Sequence, residues 1–87
     1  MNSIIKIIGM DIAKNVFALM GLDEKGKIVY KKMLARDMVL PTFRNLPATK
    51  VAIESCSGSH FWARQLQALG HEVILTRHFP LENNQGG

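Results

Sequence analysis

The sequence predicts an α/β domain: a mixed five-stranded sheet of element order β-β-β-α-β-α-β, with its strands in the spatial order 3-2-1-4-5. Three observations carry this prediction. Two short apolar runs, Lys6 to Asp11 and Lys50 to Glu54, each end in a carboxylate. Three β-compatible runs precede the first helical stripe, and two helical stripes separate the last strands. A meander followed by two crossovers requires parallel, right-handed connections, and the first crossover passes back over the meander to set the fourth strand beside the first.

Each element follows from its residues. Lys6-Ile7-Ile8-Gly9-Met10-Asp11 has apolar side chains on both faces, so it is expected at the centre of a sheet covered on both sides. Asn15 to Leu22 reads as the second strand, and Asp23-Glu24-Lys25-Gly26 supplies turn chemistry. Lys27 to Met33 reads as the third strand, its lysines suiting an exposed edge. From Asp37, a possible N-cap, apolar residues at 39, 40, 43 and 46 form a helical stripe. Pro41 is tolerated only in a first turn, so the helix is expected to start near Leu40 or to be distorted there, and Pro47 closes it.

Lys50 to Glu54 is a short buried strand. Ser55-Cys56-Ser57-Gly58-Ser59 offers several caps to a helix over His60 to Leu69, with Trp62, Leu66 and Leu69 on one face and Gly70 as the stop. His71 to Thr76 is the fifth strand. The domain therefore spans residues 1–77, and residues 78–87 lose periodicity and read as a flexible tail.

With 87 residues, 47% of them hydrophobic and 21% charged, the chain is sized for one small globular domain. No run approaches the ~20 apolar residues of a membrane span, and no secretory signal opens the chain, so a cytoplasmic location with no membrane partner is expected. Cys56 is the single cysteine, which rules out an internal disulfide, and no ligand set for structural zinc is present. A net charge of +4 suits a polyanionic partner, with Lys25, Lys27, Lys31, Lys32, Arg36 and Arg44 concentrated in the first half. A solvated basic face is the alternative.

The strand order brings Asp11 and Glu54 to equivalent ends of adjacent parallel strands, about 4.8 Å apart. Paired carboxylates there suit Mg²⁺ or Mn²⁺, which bind a phosphodiester and activate an attacking oxygen. For any single acid at a strand end, solvation is the simpler account. Lys14, just beyond Asp11, is a candidate phosphate contact, although exposed lysines are commonly only solvated. Ser55, Ser57 and Ser59 read as caps rather than nucleophiles, Cys56 as a small buried hydrophobe, and Trp62 as core. His60, His71 and His78 lack metal spacing.

Three blocks, Gly9-Met10-Asp11-Ile12-Ala13-Lys14-Asn15-Val16-Phe17, Ile53-Glu54-Ser55-Cys56 and His60 through Val73, resemble the N-terminal domain of insertion-sequence 110 family transposases and Piv-type DNA invertases. The resemblance extends to about Arg77. It implies a RuvC-like, ribonuclease H-like fold with a DEDD tetrad that binds divalent metal for DNA cleavage and strand transfer. Asp11 matches the first acid and Glu54 the second. The third and fourth acids of that family lie in an Asp-x-x-Asp motif that this sequence does not contain, so the domain is expected to be truncated before its last helices.

The resemblance implies an N-terminal fragment of a metal-dependent DNA transposase or site-specific invertase. Its cofactor would be Mg²⁺ or Mn²⁺, held weakly or not at all by this fragment, which would be inactive alone. DNA is the implied partner, with a structured noncoding RNA in the full-length protein and a homo-oligomer as further candidates. The alternative is a non-catalytic nucleic-acid-binding or oligomerisation module. An actin-like ATPase of related fold is disfavoured, because Asp11-Ile12-Ala13-Lys14-Asn15 lacks the glycine and hydroxyl residues that cradle phosphates.

Overall fold

Strand β1 (Ile7–Asp11) is the centre of the molecule, flanked on one side by β2 (Val16–Leu22) and on the other by β4 (Lys50–Glu54). The computed structural model describes residues 5–77; the proposed tail lies outside the described residues. Strand β3 (Ile28–Ala35) adds to β2, and β5 (Glu72–Thr76) adds to β4, giving the order β3-β2-β1-β4-β5. The β1–β2 and β2–β3 pairs are antiparallel, whereas β1–β4 and β4–β5 are parallel. This is the order expected of a meander followed by right-handed crossovers.

The β2–β3 turn is set by Asp23. Its Oδ1 accepts the backbone N–H groups of Lys25 and Lys27, both at 2.9 Å, and its carbonyl accepts the Gly26 N–H. Gly26 takes φ +83° here. Near the turn the register slips at Gly21/Leu22. A Cβ on Gly21 would stand 3.0 Å from both Tyr30 Cβ and Ile5 Cδ1, so glycine allows the close approach.

Beyond β3, a 3₁₀ turn over Arg36–Met38 leads into α1 (Val39–Arg44). Asp37 lies inside that turn and caps neither element by its side chain, contrary to the sequence expectation. The turn supplies the bend, and it lets Pro41 fall in the first turn of α1, where its missing N–H leaves no hydrogen bond unmade. Of the stripe, Val39 and Phe43 are fully buried, but Leu46 lies past the helix end and is exposed.

Helix α2 (Ser59–Ala68) buries Ser59, Trp62, Ala63 and Leu66, a spacing of i, i+3, i+4 and i+7. It ends as expected at Gly70, which takes φ +98°. The His71 N–H bonds the Leu66 carbonyl at 3.1 Å and the Gly70 N–H bonds that of Gln67 at 2.9 Å, the paired bonds of a Schellman stop. At its start the serines do not cap. Gly58 occupies the cap position at φ +89° without a side-chain bond, and the Ser59 hydroxyl donates instead to the Cys56 carbonyl at 2.8 Å.

One face of the sheet carries Ile8, Met10, Phe17, Leu19, Leu34, Val51 and Ile53, which join Val39, Phe43, Trp62 and Leu66 in a single core. Burying side chains of this size contributes about 1.5 to 3 kcal/mol each. Strand alternation sends Gly9, Asp11, Ala18, Met20, Ala52 and Glu54 to the other face. The expectation of cover on both sides is corrected: among the described residues, both helices lie on the first face. Of the β1 residues that suggested two covered faces, Ile7 and Gly9 lie on the open side, where Ala52 of β4 is their small neighbour.

His71 joins the lower ends of these layers. It is buried, accepts the Thr49 N–H at Nδ1 (3.1 Å) and donates from Nε2 to the Phe43 carbonyl (2.8 Å). The Thr49 donor leaves Nδ1 unprotonated, which fixes the Nε2–H tautomer. The residue that lacked metal spacing is thus a buried strut between β4, β5 and α1.

Candidate functional site

Met10 and Ile53 are the last paired residues of the parallel β1–β4 ladder, and each is followed by an acid. Asp11 and Glu54 therefore leave the sheet side by side, on the face without helices. Both line a cleft of about 140 Å³, together with Gly9, Met10, Ala18 and Met20. The cleft exists because its floor is small: Gly9 and Ala18 leave room where larger residues would fill the space. Asp11 is exposed and Glu54 half-buried.

The chain holds Glu54 from behind. The Ser55 N–H bonds the Thr76 carbonyl at 2.6 Å, which extends the β4–β5 pairing one residue past Glu54. Asp11 is likewise still paired, with Ala18 of β2. Among the described residues, neither carboxylate is tied up in a side-chain hydrogen bond or ion pair. Both remain available to a ligand in the cleft.

Oxygen donors of this type fit a hard divalent cation such as Mg²⁺ or Mn²⁺. Among the described residues, however, no group of three or more His, Cys, Asp or Glu side chains is placed to hold a metal ion. The pair alone would offer a cation two carboxylates.

The remaining candidates fall away from the cleft. Lys14 is exposed in the β1–β2 loop and does not line the acid cleft; its carbonyl accepts a bond from the Arg36 guanidinium at 3.4 Å. Ser59 is only 1% exposed, its hydroxyl closing the turn on Cys56. Cys56 itself is exposed, which corrects the expectation of a small buried hydrophobe. The loop between β4 and α2 holds it outward, away from the core. Trp62 is core, as expected, at 5% exposure.

A second concavity escaped the sequence reading. Asn15, Arg36, Asp37, Leu40, Phe61 and Trp62 line a groove of about 460 Å³ between α2 and the end of β3. The Arg36 carbon between its guanidinium nitrogens stands 5.5 Å from the Trp62 ring centre and 5.8 Å from that of Phe17. Trp62 in turn meets Phe17 and Phe61 edge to face, at 5.0 and 5.3 Å. No spacing in the sequence links Arg36 to Trp62; only the pairing of Val16 with Ala35 brings the end of β3 to that place.

Over 68 residues the chain is 46% identical to a protein of Pseudomonas aeruginosa named a probable family 20 transposase, a match over 78% of this chain and 20% of the relative. It is 41% identical over 66 residues to the transposase for insertion sequence element IS1111A of Coxiella burnetii, covering 76% of this chain and 18% of the relative. The transposase for IS1328 of Yersinia enterocolitica is 35% identical over 71 residues, 82% of this chain and 21% of the relative. No family model matches the sequence, and no solved structure does. The chain spans about a fifth of the length of the curated relatives it matches, all of which carry the name transposase, two of them for insertion sequence elements.

Proposed function

We propose that this chain is a segment of the catalytic domain of an insertion-sequence transposase, and that Asp11 and Glu54 are two of the carboxylates of its divalent-metal site for DNA cleavage and strand transfer. The observation that carries the reading is the shared cleft: two acids separated by 42 intervening residues are brought together by the β1–β4 ladder and are otherwise uncommitted. The names of the relatives support DNA as the partner. The resemblance of the sequence blocks to RuvC-like, DEDD transposases and invertases supports the assignment of roles.

In this reading Asp11 and Glu54 hold Mg²⁺ or Mn²⁺, which would bind the scissile phosphodiester and stabilise charge as it is cut. The chain's own contribution is positional. The ladder fixes the separation of the two carboxylates, the Ser55–Thr76 bond stops the end of β4 from fraying, and the small floor lets a phosphate approach the acids.

The test is a chimera in which this chain replaces the matching segment of one of these transposases. Excision of the cognate element from a reporter plasmid is expected with the native chain, and its loss to background in Asp11→Asn and in Glu54→Gln. Excision that survives both substitutions would refute the assignment.

A further inference from the structure

Phe61 stands off the buried stripe of α2, with 45% of its surface exposed, while its neighbour Trp62 belongs to the core. The core does not use this ring, and it forms one wall of the groove lined also by Arg36, Asn15 and Asp37. Arg36 is held in position: its backbone N–H bonds the Asn15 carbonyl at 2.8 Å, its guanidinium reaches the Lys14 carbonyl at 3.4 Å, and Phe17 and Trp62 support it from beneath. A held guanidinium and an exposed aromatic ring on the lining of one groove offer two flat, π-compatible surfaces.

We infer that this groove is a binding pocket for one unpaired base of single-stranded DNA, with Phe61 and Arg36 as its stacking surfaces. The choice of occupant follows from chemistry and place. A volume of about 460 Å³ is within the range of pockets that take small planar ligands, and its lining combines apolar walls with a few polar groups. Arg36 is the basic group of a lining that also holds Asp37, and the chain's net charge of +4 suits the phosphate attached to the base. Asp37, which caps no helix, and the Asn15 amide are placed on the lining where a base edge presents its donors and acceptors.

Position strengthens the assignment. The groove and the acid cleft lie on opposite faces of the same sheet edge, joined by the loop of residues 12–15 that follows Asp11 and by the turn of residues 55–58 that follows Glu54. A DNA strand presented to the acids would pass this edge, and a base turned out of its stack would meet Phe61. The inference rests on the proposed role in DNA chemistry and adds to it a single-strand contact on the helix-covered face.

The experiment uses the whole chain and a short oligodeoxynucleotide of mixed sequence, as a single strand and as a duplex. Trp62 is the only tryptophan and touches Phe61, so its fluorescence reports occupancy directly. The single strand is expected to quench it, and Phe61→Ala to weaken that binding roughly 5- to 140-fold, the range of one lost base–aromatic stack. Phe61→Leu, which keeps apolar bulk without a flat ring, is expected to weaken it as well, while both variants melt like the native chain and bind duplex unchanged.

Single-strand binding indifferent to both substitutions would overturn the pocket and leave the DNA role standing. A native chain that binds neither form of the oligonucleotide would overturn both. Tighter binding of RNA of the same sequence would contradict the assignment to DNA. Self-association of the native chain that Phe61→Ala abolishes without any oligonucleotide would assign the groove to a second copy instead.

Discussion

Asp11 and Glu54 stand one step beyond the Met10–Ile53 pair, on adjacent parallel strands, and line the same cleft. Two like charges in one cleft oppose each other wherever no cation lies between them. In metal-free buffer Asp11→Asn is therefore expected to leave the melting temperature unchanged or to raise it. A clear fall would identify Asp11 as a structural acceptor and would weaken its assignment to a metal site.

His71→Ala removes a buried ring that serves two backbone groups at once, the Thr49 N–H and the Phe43 carbonyl, and that meets the Phe43 ring edge to face at 5.4 Å. Leaving those groups without partners around a cavity is expected to cost about 2 to 4 kcal/mol in denaturant unfolding. A loss near zero would mean that water or a neighbouring side chain replaces the ring.

Asp23 gives the chain an acid-sensitive turn. The N–H bond from Lys27 is the largest cause holding its carboxyl below the ordinary carboxylate range; desolvation opposes it, and the N–H bond from Lys25 and the two lysine charges add to the lowering. A depressed folded pKa contributes stability that is present above the unfolded value of about 3.9 and is lost as pH falls through the folded value. The melting difference between native chain and Asp23→Ala is thus expected to be largest near neutrality and to shrink below about pH 3.9. A difference that grows on acidification would contradict the turn chemistry.

Most of the fold was legible in the sequence, because apolar runs and helical stripes are local while strand order follows from rules of connection. The acid pair was legible for the same reason: each carboxylate ends a run, and the topology alone makes them neighbours. What stayed hidden depends on contacts between distant segments. Ile7 and Gly9 suggested two covered faces, but a glycine completes an open sheet as readily as a covered one. Serines before a helix suggested caps, but Gly58 takes the cap position and leaves Ser59 to close the turn on Cys56. The stacking of Arg36 over Trp62 needed the register of β2 on β3.

Cleavage by the isolated chain is not expected. In-line displacement at a phosphodiester needs both metal positions fixed and the attacking oxygen placed, and two carboxylates leave most of that coordination unmet. Supercoiled plasmid should stay intact with the purified chain in millimolar Mg²⁺ or Mn²⁺. Nicking that copurifies with the chain and vanishes in Asp11→Ala would show that a second copy completes the site.

The pairing of Asp11 with Glu54 as metal ligands is tested most directly by adding Mn²⁺ to the isotopically labelled chain and recording its amide NMR spectrum. Paramagnetic broadening is expected first at Gly9 to Asp11, Ala18 and Ile53 to Ser55, the residues in and around the cleft, and it should weaken sharply in Asp11→Asn and in Glu54→Gln. Broadening that centres elsewhere, or that persists undiminished in both variants, would contradict the account.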